Sequence, residues 1–437
     1  MGQTGLVIFK GAEFMKLILC VSSIAIILFS GLYLYQENVT AEWRVHQLDY
    51  LKQIDEIDKT GKKHVQNNLQ ASDLLSFTIE LQQIWLPEMN RADRCISCHV
   101  AMEDPYFEKF DNPLKAHPKN YLKTHDSEKF GCTICHDGQG RAINFKDAAA
   151  DDPVVFWNKP LLRKPFIEAN CYRCHVDLLD QTPDYNQGKQ KFETSGCLGC
   201  HKRDGKGGIQ GPEFKGIGDA SAHIKYPEKL FDPKIMSQFF GNQNLAYIYE
   251  SVRFPNAQPK ETMMFDFKLS NEDARALTVY LKSLSMHQTG TQRLLQKPSY
   301  PLPMTEEGEK TFQLYCTACH GKNGKGGVRN SNYINDYIPK LNTLSDQMFL
   351  HKKKNQDAVI LLLAEYGDLL QAGSQPAIPG FFKVIAKYMP VKNTIVNGRV
   401  AEKKDEKGPA PLNMPVWGKT ITEEEVSSVI AYLISIY

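Results

Sequence analysis

Ten of the eleven cysteines in this 437-residue chain fall into five copies of one pentad. They are Cys95-Ile96-Ser97-Cys98-His99, Cys132-Thr133-Ile134-Cys135-His136, Cys171-Tyr172-Arg173-Cys174-His175, Cys197-Leu198-Gly199-Cys200-His201 and Cys316-Thr317-Ala318-Cys319-His320. Two thiols three positions apart reach the vinyl groups on one edge of a haem, and the histidine that follows falls under the iron. A disulfide framework gives no reason for a histidine after every second cysteine. Zinc wants such pairs brought together two by two, and an odd number of pairs cannot all be matched. The pattern predicts five haem c groups, with His99, His136, His175, His201 and His320 as proximal iron ligands.

Covalent haem attachment of this kind takes place outside the cytoplasm, and the N-terminus agrees. Residues 17–35 carry no charge, and a helix of about 20 apolar residues spans a bilayer. Lys10 and Lys16 precede the run and no Lys or Arg follows until Arg44. The positive-inside tendency then predicts a single pass through the cytoplasmic membrane, N-terminus inside and the remainder outside. A cleaved signal read at Val39-Thr40-Ala41 is the competing view, although its apolar region would be shorter. Cys20 lies inside the run and reads as a small apolar residue of the helix, because Leu19 is too large for a lipoprotein site. The net charge of +2 offers no basic excess, so nucleic acid is not an expected partner.

The chain then divides by its motifs. Residues 1–36 read as a transmembrane anchor. Residues 37–90 read as a helical stalk, with Leu48, Leu51, Ile54 and Ile57, and again Leu74, Phe77 and Leu81, at helical spacing. Residues 91–180 hold three pentads with few apolar residues between them, so their core is expected to come from the haems themselves. Residues 181–290 and 291–437 form an internal repeat, each with one pentad followed by a glycine-rich loop (Gly205-Lys206-Gly207-Gly208, Gly324-Lys325-Gly326-Gly327). Each repeat closes with a methionine loop and an amphipathic helix. Ser270 and Thr422 stand ahead of acidic residues as expected helix N-caps.

Both repeats resemble class I cytochrome c domains, on the pentad, the Gly/Pro-rich loop, the methionine and a C-terminal helix with a Tyr-Leu pair (Tyr280-Leu281, Tyr432-Leu433). The resemblance implies Met264 and Met414 as axial ligands opposite His201 and His320. The second repeat departs by about thirty extra residues between histidine and methionine, which loops tolerate. The first departs at Phe265, where the family usually has proline. The stretch from Phe130 to Gly140, preceded by His117-Pro118 and His125, resembles multihaem cytochrome subunits found with Rieske/cytochrome b-type quinol oxidoreductases. The expected architecture is therefore mostly α: transmembrane helix, helical stalk, haem-packed trihaem module and two class I cytochrome c domains, the last carrying an insertion.

A carrier haem needs a second axial ligand. His117 and His125 are expected to ligate two of the first three haems. For the remaining one His46, His64, His223, Met89 and Met102 are all available, with His64 favoured. His287 and His351 read as surface residues. The function this implies is electron transfer, as the cytochrome subunit of a membrane quinol-oxidising respiratory complex. Its partners would be cytochrome b/Rieske-type or other quinol-oxidising membrane subunits, and a soluble cytochrome c or terminal oxidase. The alternatives are a multihaem reductase or peroxidase using an open axial position, and a docking role for residues 328–400, where Lys352–Lys354 and Ile360–Leu363 suggest a helix with a basic face.

Overall fold

A computed structural model describes residues 4–59, 77–87, 91–118, 120–149, 159–175, 177–222, 237–239, 242–256, 263–285, 304–348, 350–371 and 381–436. The chain is mostly helical and divides into two compact units, Met1–Arg163 and Lys164–Tyr437. That division lies inside the stretch 91–180, so the third pentad belongs to the second unit.

The first unit opens with helix α1 (Thr4–Tyr35). Its segment Phe14–Tyr35 is long and apolar enough to cross a membrane and is not buried in the protein. A π-helical turn, Gln36–Thr40, leads into α2 (Glu42–Lys59). The helix expected across Leu74, Phe77 and Leu81 is not found at Phe77 and Leu81, and Leu74 lies outside the described residues. Instead β1 (Ile84–Leu86) pairs antiparallel with β2 (Arg91–Asp93), Trp85 opposite Ala92. The strand prevails because Ile84 and Leu86 alternate inward around an exposed Trp85, a period-2 pattern that outranks helical spacing over so short a run.

Nor is the first unit without an apolar core of its own. Tyr50, Ile54 and Ile57 of α2 bury against Ala101, Phe107, Leu114 and Ala116, with Phe77, Val100 and Phe110 packed on them. The stripe that reads locally as a stalk face covers the haem-motif segment. The pairing joins residues some fifty positions apart, which no local pattern reports.

The second unit contains two helix crossings of the same kind. In the first, α3 (Pro183–Thr194) runs to the small hairpin β3 (Lys202–Arg203) and β4 (Lys206–Gly207); α4 (Gln243–Arg253) and α5 (Asn271–Ser283) follow, and α3 packs on α5. In the second, α6 (Met304–Tyr315) packs on the last helix; α7 (Lys353–Tyr366), α8 (Phe381–Asn397) and α9 (Glu423–Ser435) complete the chain. The crossings need glycine at matching points. A Cβ on Gly188 would collide with the Ala276 carbonyl, and one on Gly308 with the Ser428 carbonyl. Four residues on, the ring of Phe192 packs tilted on Tyr280 at 4.9 Å and that of Phe312 on Tyr432 at 5.5 Å.

Both expected caps are present. Ser270 Oγ accepts from Asp273 N at 3.0 Å. Thr422 Oγ1 accepts from Glu425 N at 3.1 Å while Glu425 returns to Thr422 N at 2.7 Å. The insertion supplies α7 and α8, with Val359 and Leu363 buried and Leu361 exposed.

Candidate haem-attachment sites

All five pentads adopt one helical turn closed by the same bond. The histidine N–H donates to the carbonyl of the first cysteine at 2.9 Å for His99, 3.0 Å for His136, 2.9 Å for His175, 3.1 Å for His201 and 2.9 Å for His320. Positions three and four apart share one face of such a turn. Both thiols and the imidazole therefore project to the same side, the arrangement that one haem edge and its iron require.

In the first unit the hinge between two sites is Asp93, which sequence reasoning missed. It is buried, and its carboxylate accepts from Cys132 N at 2.6 Å, Thr133 N at 3.0 Å and Thr133 Oγ1 at 2.8 Å. A carboxylate suits the N-terminus of a helical turn, where backbone N–H groups lack partners. Asp93 also precedes Cys95 by two positions, so it ties the first pentad to the second. The glycine at 131 reflects this: a Cβ there would run into the Asp93 carboxylate. As a result the thiols of Cys95 and Cys132 hydrogen-bond to each other, and that bond, with burial, pushes the Cys132 thiol far up.

The histidines of this unit converge. Burial lowers the pKa of His99, opposed by its hydrogen bond to the Pro113 carbonyl and reinforced by the His46 and His117 imidazoles. Burial lowers that of His136 to about 4, helped by His117 and His99. Both are therefore neutral at physiological pH and keep a lone pair for a metal. The rings of His117 and His136 lie 6.2 Å apart at 90°. His117 Nδ1 donates to the Pro118 carbonyl at 3.2 Å, so Nε2 carries the lone pair. His125 Nδ1 lies 3.0 Å from Thr124 Oγ1, whose own proton goes to Tyr121 O. Nδ1 is then the donor and Nε2 carries the lone pair.

In the second unit each cytochrome-like repeat holds its histidine from behind. His201 Nδ1 donates to Pro212 O at 2.8 Å and the ring stacks on Phe214 at 4.5 Å. A Cβ on Gly211 would sit 2.5 Å from His201 Cε1, so only glycine lets the chain pass the ring. His320 Nδ1 donates to Pro339 O at 3.2 Å. Burial lowers the pKa of both imidazoles against these bonds. Orientation through the second nitrogen is how proteins aim an imidazole at a metal.

The two pentads of the repeats meet. A Cβ on Gly196 would lie 2.7 Å from Ala318 N, and one on Gly199 2.6 Å from Tyr315 O. The thiols of Cys200 and Cys319 hydrogen-bond, which with burial raises the Cys319 thiol well above its usual range. Gln210 Nε2 also donates to Asn413 O at 2.7 Å, joining the His201 loop to the residue before Met414.

The third pentad packs on the first repeat. Tyr172 stacks on Tyr185 with centroids 3.3 Å apart, and Glu168 accepts from Tyr185 N at 2.9 Å. Met264 lies in the irregular segment ahead of Ser270. Met414 exchanges backbone bonds with Arg399 at 2.9 and 3.0 Å. Three residues on, buried Trp417 packs at 5.5 Å on Tyr315, the neighbour of Cys316. His64, His223, Met89 and His287 lie outside the described residues. His351 is exposed and pairs with Asp346 at 3.0 Å.

These residues fit haem: one-sided turns, neutral oriented imidazoles and a glycine cradle under His201. The sequence pattern of the cytochrome c family matches residues 185–285 and 305–436, more than half of the chain. The chain belongs to the cytochrome c family. Its two cytochrome c domains lie inside the repeats 181–290 and 291–437, and membership implies covalently bound haem c and electron transfer. A stretch of 104 residues is 34% identical to cytochrome c oxidase subunit 2 of Alkalihalophilus pseudofirmus, covering 23% of this chain and 26% of that subunit. The match thus spans about a quarter of that relative. No solved structure matches the chain.

Proposed function

We propose that this cytochrome moves electrons through five covalently bound haem c groups, as the cytochrome subunit of a membrane quinol-oxidising respiratory complex. The observation that carries the reading is the common turn of all five pentads, including the three outside the cytochrome c domains. Bound haem supplies the one-electron couple, and the chain sets how that couple is held. Cys95 beside Cys132 and Cys200 beside Cys319 put attachment sulfurs of different pentads in contact. Two pairs of attachment sites are therefore held next to each other by protein packing.

Met264 and Met414 serve as thioether ligands opposite His201 and His320, and raise the potential relative to bis-histidine ligation. His117 serves opposite His136, and His125 another of the first three haems. Helix α1 anchors the first unit in the cytoplasmic membrane with its N-terminus inside, since Lys10 and Lys16 precede the span. Quinol-derived electrons arrive at the anchored unit from cytochrome b/Rieske-type or other quinol-oxidising subunits. They leave through the C-terminal domain to a soluble cytochrome c or a terminal oxidase. The similarity of one stretch to an oxidase subunit supports the latter side. A pyridine haemochrome assay on purified protein is expected to count five haems per chain; three or fewer overturns the reading.

A further inference from the structure

The imidazole of His46, on α2, lies near enough to the first pentad to reinforce the lowered pKa of His99. Gln47 next to it is fully buried and makes three bonds: Nε2 to Ser97 O at 3.0 Å, Nε2 to Glu80 O at 2.8 Å, and Oε1 from Glu80 N at 3.1 Å. Ser97 is the central residue of Cys95–His99, so α2 is pinned to that turn within one residue of His46. One turn before His46 stands Glu42, its carboxylate 3.6 Å from His46 Nε2. Glu42 also reaches the pentad: burial pushes the Cys98 thiol up to about 12, and the Glu42 charge adds to it. Glu42 and His46 thus share the face of α2 that looks onto Cys98 and His99.

We propose that His46 is the distal axial ligand of the haem attached at Cys95 and Cys98, an assignment that rests on the five-haem reading above. Among the described residues the rival side chains are used or misplaced. His117 is held against His136 at 6.2 Å. Met102 follows His99 by three residues, with its N–H on the His99 carbonyl at 3.3 Å, and so stays on the proximal side. His125 packs on Phe130 at 5.6 Å. The Glu42 carboxylate lies on the Nε2 side of the His46 ring at 3.6 Å and leaves Nδ1 for iron, as a carboxylate does when it stands behind a ligating imidazole. The side chain is 25% exposed, so it can turn without disturbing the Tyr50–Ile54–Ile57 core.

The test uses full-length protein in detergent carrying His46→Ala or His46→Met. Mass spectrometry of the peptide bearing Cys95 and Cys98 reads attachment separately from ligation. With haem attached, His46→Ala is expected to convert one haem in five from low spin to high spin. That haem then binds carbon monoxide, and added imidazole restores the low-spin signal. His46→Met is expected to keep all haems low-spin while one potential rises. Haem attached with every haem low-spin in His46→Ala overturns the His46 assignment alone. No haem on the wild-type peptide overturns the reading of the first pentad itself.

Discussion

The imidazole planes of His117 and His136 stand perpendicular, with centroids 6.2 Å apart. Two imidazoles on opposite sides of one metal, each bonded at about 2 Å, place their centroids about 6 Å apart. His117→Ala is therefore expected to leave five attached haems and turn one high-spin, with new carbon monoxide binding. Electron paramagnetic resonance reads this directly, and an unchanged low-spin spectrum contradicts the pairing.

Met414→Ala is expected to lower the potential of the haem at His320 while the others keep theirs. Axial ligands move haem potentials over roughly 0.8 V in all, so loss of a thioether is resolvable in a redox titration. All waves shifting together, or none, argues against Met414.

Asp93→Ala removes the acceptor of three bonds that hold the second pentad beside the first. Hydrogen bonds to a charged group are worth about 1.5–3 kcal/mol, so the melting of the first unit should shift down measurably. Haem loading at Cys132 and Cys135 should fall, while loading at Cys316 and Cys319 does not. Equal loss at both sites in the haem-peptide mass spectrum would show a global effect instead.

A pH dependence is expected inside the insertion of the second cytochrome c domain. Burial disfavours the Asp368 carboxylate, but the Lys392 ammonium and the Leu370 N–H at 2.9 Å outweigh it and hold its pKa below the usual range. A depressed carboxylate stabilises the fold above its unfolded pKa, and the contribution disappears as pH falls through the folded value. Asp368→Asn should cost about 1–3 kcal/mol at pH 7, and its difference from wild type should shrink below about pH 4. Urea melts of both proteins at the two pH values check the sign.

Removing residues 1–36 behind a cleavable export signal should give soluble protein with five normal haems. Its reduction by quinol-fed membranes should drop, while exchange with a soluble cytochrome survives. Equal reduction rates of the soluble and anchored forms would favour a freely diffusing shuttle.

The attachment chemistry is legible in the sequence because it is local. Five residues that must occupy one helical turn carry their whole requirement within the pentad, and the caps Ser270 and Thr422 need only the next turn. The apolar span of α1 and the two cytochrome c repeats are legible for the same reason: each is a run or a period along the chain. Tertiary structure alone decided how these local units meet. Asp93 reaches the turn of Thr133, α2 covers Phe107 and brings His46 to the first pentad, and Tyr172 stacks on Tyr185 to carry the third pentad into the second unit. The sequence lists several histidines able to serve a haem, and spacing does not rank them. Which imidazole stands over which turn depends on packing between segments distant in the chain, and that packing is a property of the folded whole.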